Sequence, residues 1–233
     1  GFIPGILKAR TGAHEVIVTI MLNYVSYQLI TWILRQTWYQ RPGRSDPVSP
    51  VVDASATIPA LIDGLRVNWA FVLALVAAVL VSWLLFRSTL GFEFRAVGFN
   101  PSAARYAGMN ISRTLILTLS ISGGLAGLAG TTEILGVNKA LTPGFSPGYG
   151  FDGIAIALLG GSTPLGVVLA ALLFGVLRAG ATPMQAATGI PIDLVVVIQA
   201  LVIMFVAAPA LIRELYRIRV KATTGTEILA QGW

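Results

Sequence analysis

Apolar residues fall into long runs separated by polar stretches rich in proline, glycine and arginine. Five runs approach the roughly 20 residues that a helix needs to cross about 30 Å of hydrocarbon. They are 15–34 (EVIVTIMLNYVSYQLITWIL), 69–86 (WAFVLALVAAVLVSWLLF), 114–135 (TLILTLSISGGLAGLAGTTEIL), 164–179 (PLGVVLAALLFGVLRA) and 192–212 (IDLVVVIQALVIMFVAAPALI). A shorter run, 152–161 (DGIAIALLGG), covers about half the hydrocarbon thickness. None shows the strict alternation of a barrel strand. Lipid leaves no partner for an open backbone, so the runs must be helices. The expected fold is all-α: a polytopic membrane helix bundle of about five full transmembrane helices plus one short or re-entrant helix.

The connections carry cap and turn chemistry. Residues 35–68 form a long polar loop with Pro42, Pro47, Pro50 and Pro59, expected to be partly irregular. Thr163-Pro164 offers an N-cap followed by proline at the first helical position. Thr182-Pro183 repeats the pattern and predicts a separate short helix that Gly189 would end. Gly160-Gly161 makes 152–179 a tight hairpin or re-entrant pair. Asp152 and Asp193 are expected as N-caps.

Composition agrees with a membrane setting: 55% of the 233 residues are hydrophobic and 11% charged, with mean hydropathy +0.79. Cysteine is absent, which removes disulfides and thiolate metal sites. The net charge of +6 is clustered. Residues 87–113 hold Arg87, Arg95, Arg105 and Arg113 against one acid, Glu93. The tail holds Arg213, Arg217, Arg219 and Lys221, and Lys8 and Arg10 precede the first run. The excess of basic residues places these three regions on the cytoplasmic side. The 35–68 loop, which balances Arg35, Arg41, Arg44 and Arg66 with Asp46, Asp53 and Asp63, goes outside. The chain opens on Gly1 with no signal segment, and is expected to lack an N-terminal part.

Several chemistries are excluded. None of Lys8, Lys139 and Lys221 follows a glycine, so no nucleotide-binding P-loop exists. The lone His14 cannot build a multi-histidine metal site, and HExxH is absent. The informative segment is instead 93–113, EFRAVGFNPSAARYAGMNISR. Asn100 is a good N-cap, Pro101 suits the first turn and Gly108 is a natural stop. The result is a free-standing helix of about two turns, with Ala103, Ala104 and Ala107 beside Arg105 and Tyr106. By itself this is equally a connector held at the membrane surface or a knob that inserts into a groove on a cytoplasmic partner.

The run Gly98-Phe-Asn-Pro-Ser-Ala-Ala-Arg-Tyr-Ala-Gly108 resembles the coupling loop of ABC importer permeases of the branched-chain amino acid and simple sugar superfamily. Leu7-Lys-Ala-Arg-Thr-Gly-Ala-His-Glu-Val-Ile-Val-Thr-Ile-Met-Leu-Asn-Tyr24 is similar to permeases of nucleoside-type importers, whose binding proteins are basic membrane lipoproteins. Gly150-Phe-Asp-Gly-Ile-Ala-Ile-Ala-Leu-Leu-Gly160, followed by Pro164-Leu-Gly166, is also similar. The resemblance runs from about residue 1 to 212 and implies a permease domain over 1–212, a cytoplasmic coupling loop at 93–113 and a cytoplasmic tail at 213–233. It implies Asn100, Pro101, Ala103, Ala104, Arg105, Tyr106 and Gly108 as the docking element. The implied partners are cytoplasmic ATPase subunits, a second permease chain in a homo- or heterodimer, an extracytoplasmic substrate-binding lipoprotein and the bilayer, with no nucleic acid. No cofactor is expected on this chain, since ATP and Mg²⁺ would sit on the ATPase. The implied function is inward movement of nucleosides or related small polar solutes across a bacterial or archaeal cytoplasmic membrane. Replacing Ala104 and Arg105 together by Glu is then expected to disrupt docking. The alternative, a secondary transporter driven by an ion gradient, would place acids mid-membrane, where this chain carries amides and hydroxyls but almost no acids.

Three further groups are candidates. Glu15, Thr19, Asn23 and Tyr27 recur every four residues and line one helix face, with Ser26 and Tyr24 beside them. Such a face serves interhelical hydrogen bonds or a solute pathway, and Gln199 poses the same choice in the last run. Asn23, Tyr24 and Phe151 offer the amide and aromatic groups that a nucleoside would use, though a sugar would accept equivalents. Gly123 and Gly127 form GxxxG, with Ser122, Ala126 and Gly130 in a neighbouring small-residue row, which suits close helix packing or a flexible gate. Glu133 lies near the outer end of that helix.

Overall fold

A computed structural model describes residues 1–43, 46–61, 67–146, 148–191, 194–202 and 204–205. The tail, Asp193 and part of the last apolar run lie outside the described residues. The helices are α1 (Phe2–Thr11), α2 (Glu15–Leu34), α3 (Trp69–Arg87), α4 (Thr89–Phe99), α5 (Pro101–Tyr106), α6 (Ile111–Glu133), α7 (Tyr149–Leu159) and α8 (Pro164–Thr188). A π-helical turn, Ile134–Asn138, continues α6. Among the described residues four helical stretches are long and apolar enough to cross a membrane: Glu15–Leu34, Trp69–Arg87, Ile111–Asn138 and Pro164–Thr188. Helix also covers 194–202 of the last run. Among the described residues the fold is an all-α membrane helix bundle without strands. Two compact units divide it, residues 1–147 and 148 onward.

In the first unit α1 packs along α6. A side-chain carbon on Gly5 would sit 3.0 Å from the Ile116 Cα, and one on Gly123 would press on the Gly1 backbone. The sequence reading had no helix at 2–11, because Lys8, Arg10 and Thr11 interrupt its apolar residues. The bare glycine faces on α1 and α6 allow backbones to approach, and packing supplies what a ten-residue helix lacks alone. Gly12, at φ 70°, ends α1, and the Lys8–Glu15 ion pair at 2.5 Å spans the break to α2.

Residues 93–113 also differ from expectation, being mostly helix and not a loop with one short helix. Ser88 turns the chain from α3 into α4: its Oγ donates to the Leu84 carbonyl at 2.6 Å and accepts from the Gly91 amide at 3.0 Å. Gly91 lies against the Leu84 and Leu85 carbonyls, where no side chain fits. The apolar face Leu90, Phe94 and Val97 then holds α4 to its neighbours, and Val97 is buried. At the other end, the 46–61 segment is stitched to the chain after α6. Ser49 N donates to Leu141 O, Leu141 N to Ser49 Oγ, Val52 N to Lys139 O and Ile58 N to Leu135 O, at 2.8–3.1 Å.

The second unit is a hairpin of α7 and α8. Thr163 caps α8, accepting from the Gly166 amide at 3.2 Å, as its sequence predicts. Gly160 and Gly166 touch backbone to backbone. Two expectations fail here. The chain does not break at Thr182-Pro183: α8 runs through to Thr188 with Pro183 inside, and Gly189 (φ 71°) ends it. An interior proline costs roughly 3 kcal/mol. Without water to receive the backbone groups that a full break would free, the intact turns on either side outweigh that cost. Asp152 is not an N-cap either. Gly148 holds that position, and Asp152 lies within α7, paired with Arg178.

Gly166→Ala should lower the thermal midpoint of the detergent-purified protein through a strain of about 1–3 kcal/mol. Gly175→Ala, with open space beside it, should leave the midpoint unchanged or slightly raised.

Candidate functional site

The α5 knuckle is assembled by local hydrogen bonds. Asn100 takes extended backbone (φ −152°, ψ 99°), and its Oδ1 accepts from the Ser102 and Ala103 amides, both at 3.0 Å. Pro101 occupies the first helical position, where no amide hydrogen is needed. At the far end Met109 N donates to Ala104 O and Gly108 N to Arg105 O, both at 3.0 Å. Gly108, at φ 83°, supplies the left-handed residue that this closing motif requires.

Six residues cannot hold a helix unaided. Here α5 rests on α4 and α6. Ala104 is 5% exposed, Val97 4% and Thr114 2%. Thr114 Oγ1 donates to Asn110 O at 3.0 Å, and Asn110 caps α6 by accepting from the Arg113 amide at 3.1 Å. The outward face carries Pro101, Ser102, Ala103, Arg105 and Tyr106, with Tyr106 96% exposed. Pro101, Ser102, Arg105, Tyr106 and Ile111 border a concavity of about 410 Å³. The knuckle therefore offers one cation, one phenol and small side chains on a rigid base.

Ala104 does not belong to that outward face. Its methyl group is the part of α5 that meets the rest of the unit. A Glu at 104 would test folding and not docking, so the exposed pair Arg105 and Tyr106 is the informative target.

The other candidates are dispersed. On α2, Thr19 is half-buried with its Oγ1 bonded to Val16 O at 3.0 Å, while Asn23, Tyr24, Ser26 and Tyr27 are exposed. Gln199 belongs to the second unit and is buried. On α6, Gly123 meets Gly1, whereas Gly127 and Gly130 have open space beside them among the described residues. Glu133 accepts from Asn138 Nδ2 at 3.3 Å. Phe151 is exposed at the start of α7. No group of three or more acids or histidines among the described residues could hold a metal ion.

The sequence reading passed over Arg178. Its guanidinium donates to Asp152 Oδ2 at 2.5 Å and lies 4.6 Å from the centre of the Tyr149 ring. The signal was present: Asp152 is the only acid of α7 and Arg178 the only basic residue of α8. The apolar run read from the sequence stops at residue 179, one residue past Arg178, whereas α8 extends ten residues beyond Arg178.

A family model described as branched-chain amino acid transport system, permease component, matches residues 1–207. The guanosine ABC transporter permease protein NupP of Bacillus subtilis is 43% identical over 91% of this chain and 62% of its own length. The nucleoside ABC transporter permease protein NupB of Lactococcus lactis is 38% identical over 97% of this chain and 64% of its own length. The glucose ABC transporter permease protein TsgB13 of Haloferax volcanii is 36% identical, covering 87% and 56%. The chain thus spans less than two thirds of the relatives that it matches. No solved structure matches it.

Asn100→Ala should cost α5 about 1 kcal/mol of helix stability. The readout is amide hydrogen exchange: Ser102 and Ala103 should exchange roughly fivefold faster, while the α6 amides stay unchanged.

Proposed function

The chain belongs to the branched-chain amino acid transport system permease family, and on that premise we propose that it is the membrane permease subunit of an ATP-binding cassette importer for nucleosides. It would work in the bacterial cytoplasmic membrane by alternating access. The single observation that carries this reading is the α5 knuckle, a capped helix exposed on one face and anchored on the other. A chain with no P-loop of its own needs a neighbour that supplies ATP and Mg²⁺ chemistry, and α5 suits the grip of such a neighbour. The remaining partners are a second permease chain and an extracytoplasmic substrate-binding lipoprotein.

The mechanism follows from how α5 is held. ATP binding on the partner closes the ATPase subunits and displaces the knuckle. Ala104 is packed within the unit and α5 is bounded by capped turns. The displacement therefore passes to α4 and α6 as a body and is not absorbed in slack chain, as a switch between two packed states requires. The apolar helices tilt in response, and the solute cavity changes the side to which it opens. Nucleoside cargo is supported by the similarity to permeases named for guanosine and nucleosides, and by the exposed Asn23, Tyr24 and Tyr27 on α2. Amides and phenols on a spanning helix need a polar counterpart or water, which a solute pathway provides.

Membrane vesicles carrying the intact transporter should take up radiolabelled guanosine in the presence of ATP and take up glucose poorly. Uptake driven by an ion gradient without ATP would refute an ATP-driven importer, and glucose uptake in place of guanosine would refute the cargo. Arg105→Glu combined with Tyr106→Ala should reduce co-purified ATPase about tenfold or more, the loss typical of removing interface anchors. Retention at the wild-type level would remove α5 from the docking role.

A further inference from the structure

Asp152 and Arg178 sit where charges are costly. Take the turn between α7 and α8 at one face of the bilayer. Asp152 is eight residues from Gly160, or about 12 Å at 1.5 Å per residue. Arg178 is fourteen residues from Pro164, or about 21 Å, and an arginine on a helix reaches back toward the helix N-terminus. The pair therefore lies near the middle of a hydrocarbon layer about 30 Å thick. Charged groups at that depth face protein or a water-filled cavity, not lipid. Neither α7 nor α8 covers the pair fully: the Asp152 and Arg178 side chains are 33% and 42% exposed among the described residues. The Tyr149 ring stacks on the guanidinium, one turn before Asp152 on the same face of α7.

We infer that Asp152, Arg178 and Tyr149 form a solute-contact station on the water-filled path, for an uncharged solute that combines hydroxyl groups with a flat heteroaromatic ring. This rests on the importer reading above and assigns residues to it. The chemistry fits such a solute. A compensated pair presents donors and an acceptor side by side without a net charge. The carboxylate can accept from neighbouring hydroxyls, and the guanidinium can donate to ring carbonyl or nitrogen acceptors. The phenol ring, already half of a stacked pair, gives a heteroaromatic ring a surface to slide along. No single group binds so tightly that the solute would be trapped.

The chain has no cysteine, so one introduced thiol reports on this chain alone. Gly153 has open space beside it and shares the α7 face of Tyr149, while Leu158 lies on the opposite face. In the intact transporter in membranes, Gly153→Cys should react with a charged, water-soluble thiosulfonate. Guanosine at about ten times its KM should slow that reaction by roughly tenfold, and Leu158→Cys should not react. An unreactive Gly153→Cys, or one that guanosine does not protect, overturns the inference. A second variant guards against mere disturbance of the fold. Arg178→Lys keeps the charge but loses the flat stacking surface, and should raise the KM for guanosine about tenfold while kcat stays within about twofold. A fall in transporter amount or kcat with KM unchanged would make the pair structural and sink the proposal. If the wild-type transporter moves no nucleoside, the importer reading beneath it fails first, before any variant is made.

Discussion

Hydrocarbon offers no hydrogen bonds, and this one constraint accounts for most of the architecture. Many of the places among the described residues where the helical ladder stops are closed by a short-range device. Ser88, Asn100, Asn110 and Thr163 each give a side-chain oxygen to the amides of the next helix. Gly12, Gly108 and Gly189 close helix ends in left-handed geometry. Where α6 loosens into a π turn, amides from the 46–61 segment reach the carbonyls of Leu135, Lys139 and Leu141. Proline inside α8 is tolerated on the same terms, because continuing the helix frees fewer groups than breaking it.

Local closure of this kind also makes the knuckle rigid. A helix of six residues is unstable alone, yet α5 is pinned by a cap at one end, a glycine stop at the other and the buried Ala104 between them. The same features leave Arg105 and Tyr106 exposed. One small element thus combines an exposed cation and phenol with a rigid attachment to α4 and α6. A flexible loop of equal length would provide the first without the second.

Charge is the other scarce quantity. At 11% of the chain, charged residues gather in the segments between apolar runs, and arginines mark the end where α4 and α5 lie. The exceptions are therefore informative. Lys8 and Glu15 pair across the break between α1 and α2, and Asp152 and Arg178 pair inside the hairpin. Both pairs join consecutive helices, and the one inside the hairpin keeps its charges from standing alone in an apolar setting.

The sequence by itself determined the helical class, the positions of the first three spans, the short seventh helix and both ends of α5, because these depend on composition over about 20 residues and on local cap chemistry. Tertiary structure decided the rest. The helix at 2–11 forms because glycine faces meet α6, a contact more than a hundred residues away along the chain. Ala104 turns inward because α4 and α6 supply a surface for it, although its composition matches that of the exposed Ala103. Asp152 pairs with Arg178 and not with its own helix N-terminus, because the tight turn at 160–163 folds α8 back beside α7. Periodicity and capping report on neighbours within one or two turns. Which surface a residue meets across the fold is set by packing between helices that the sequence separates.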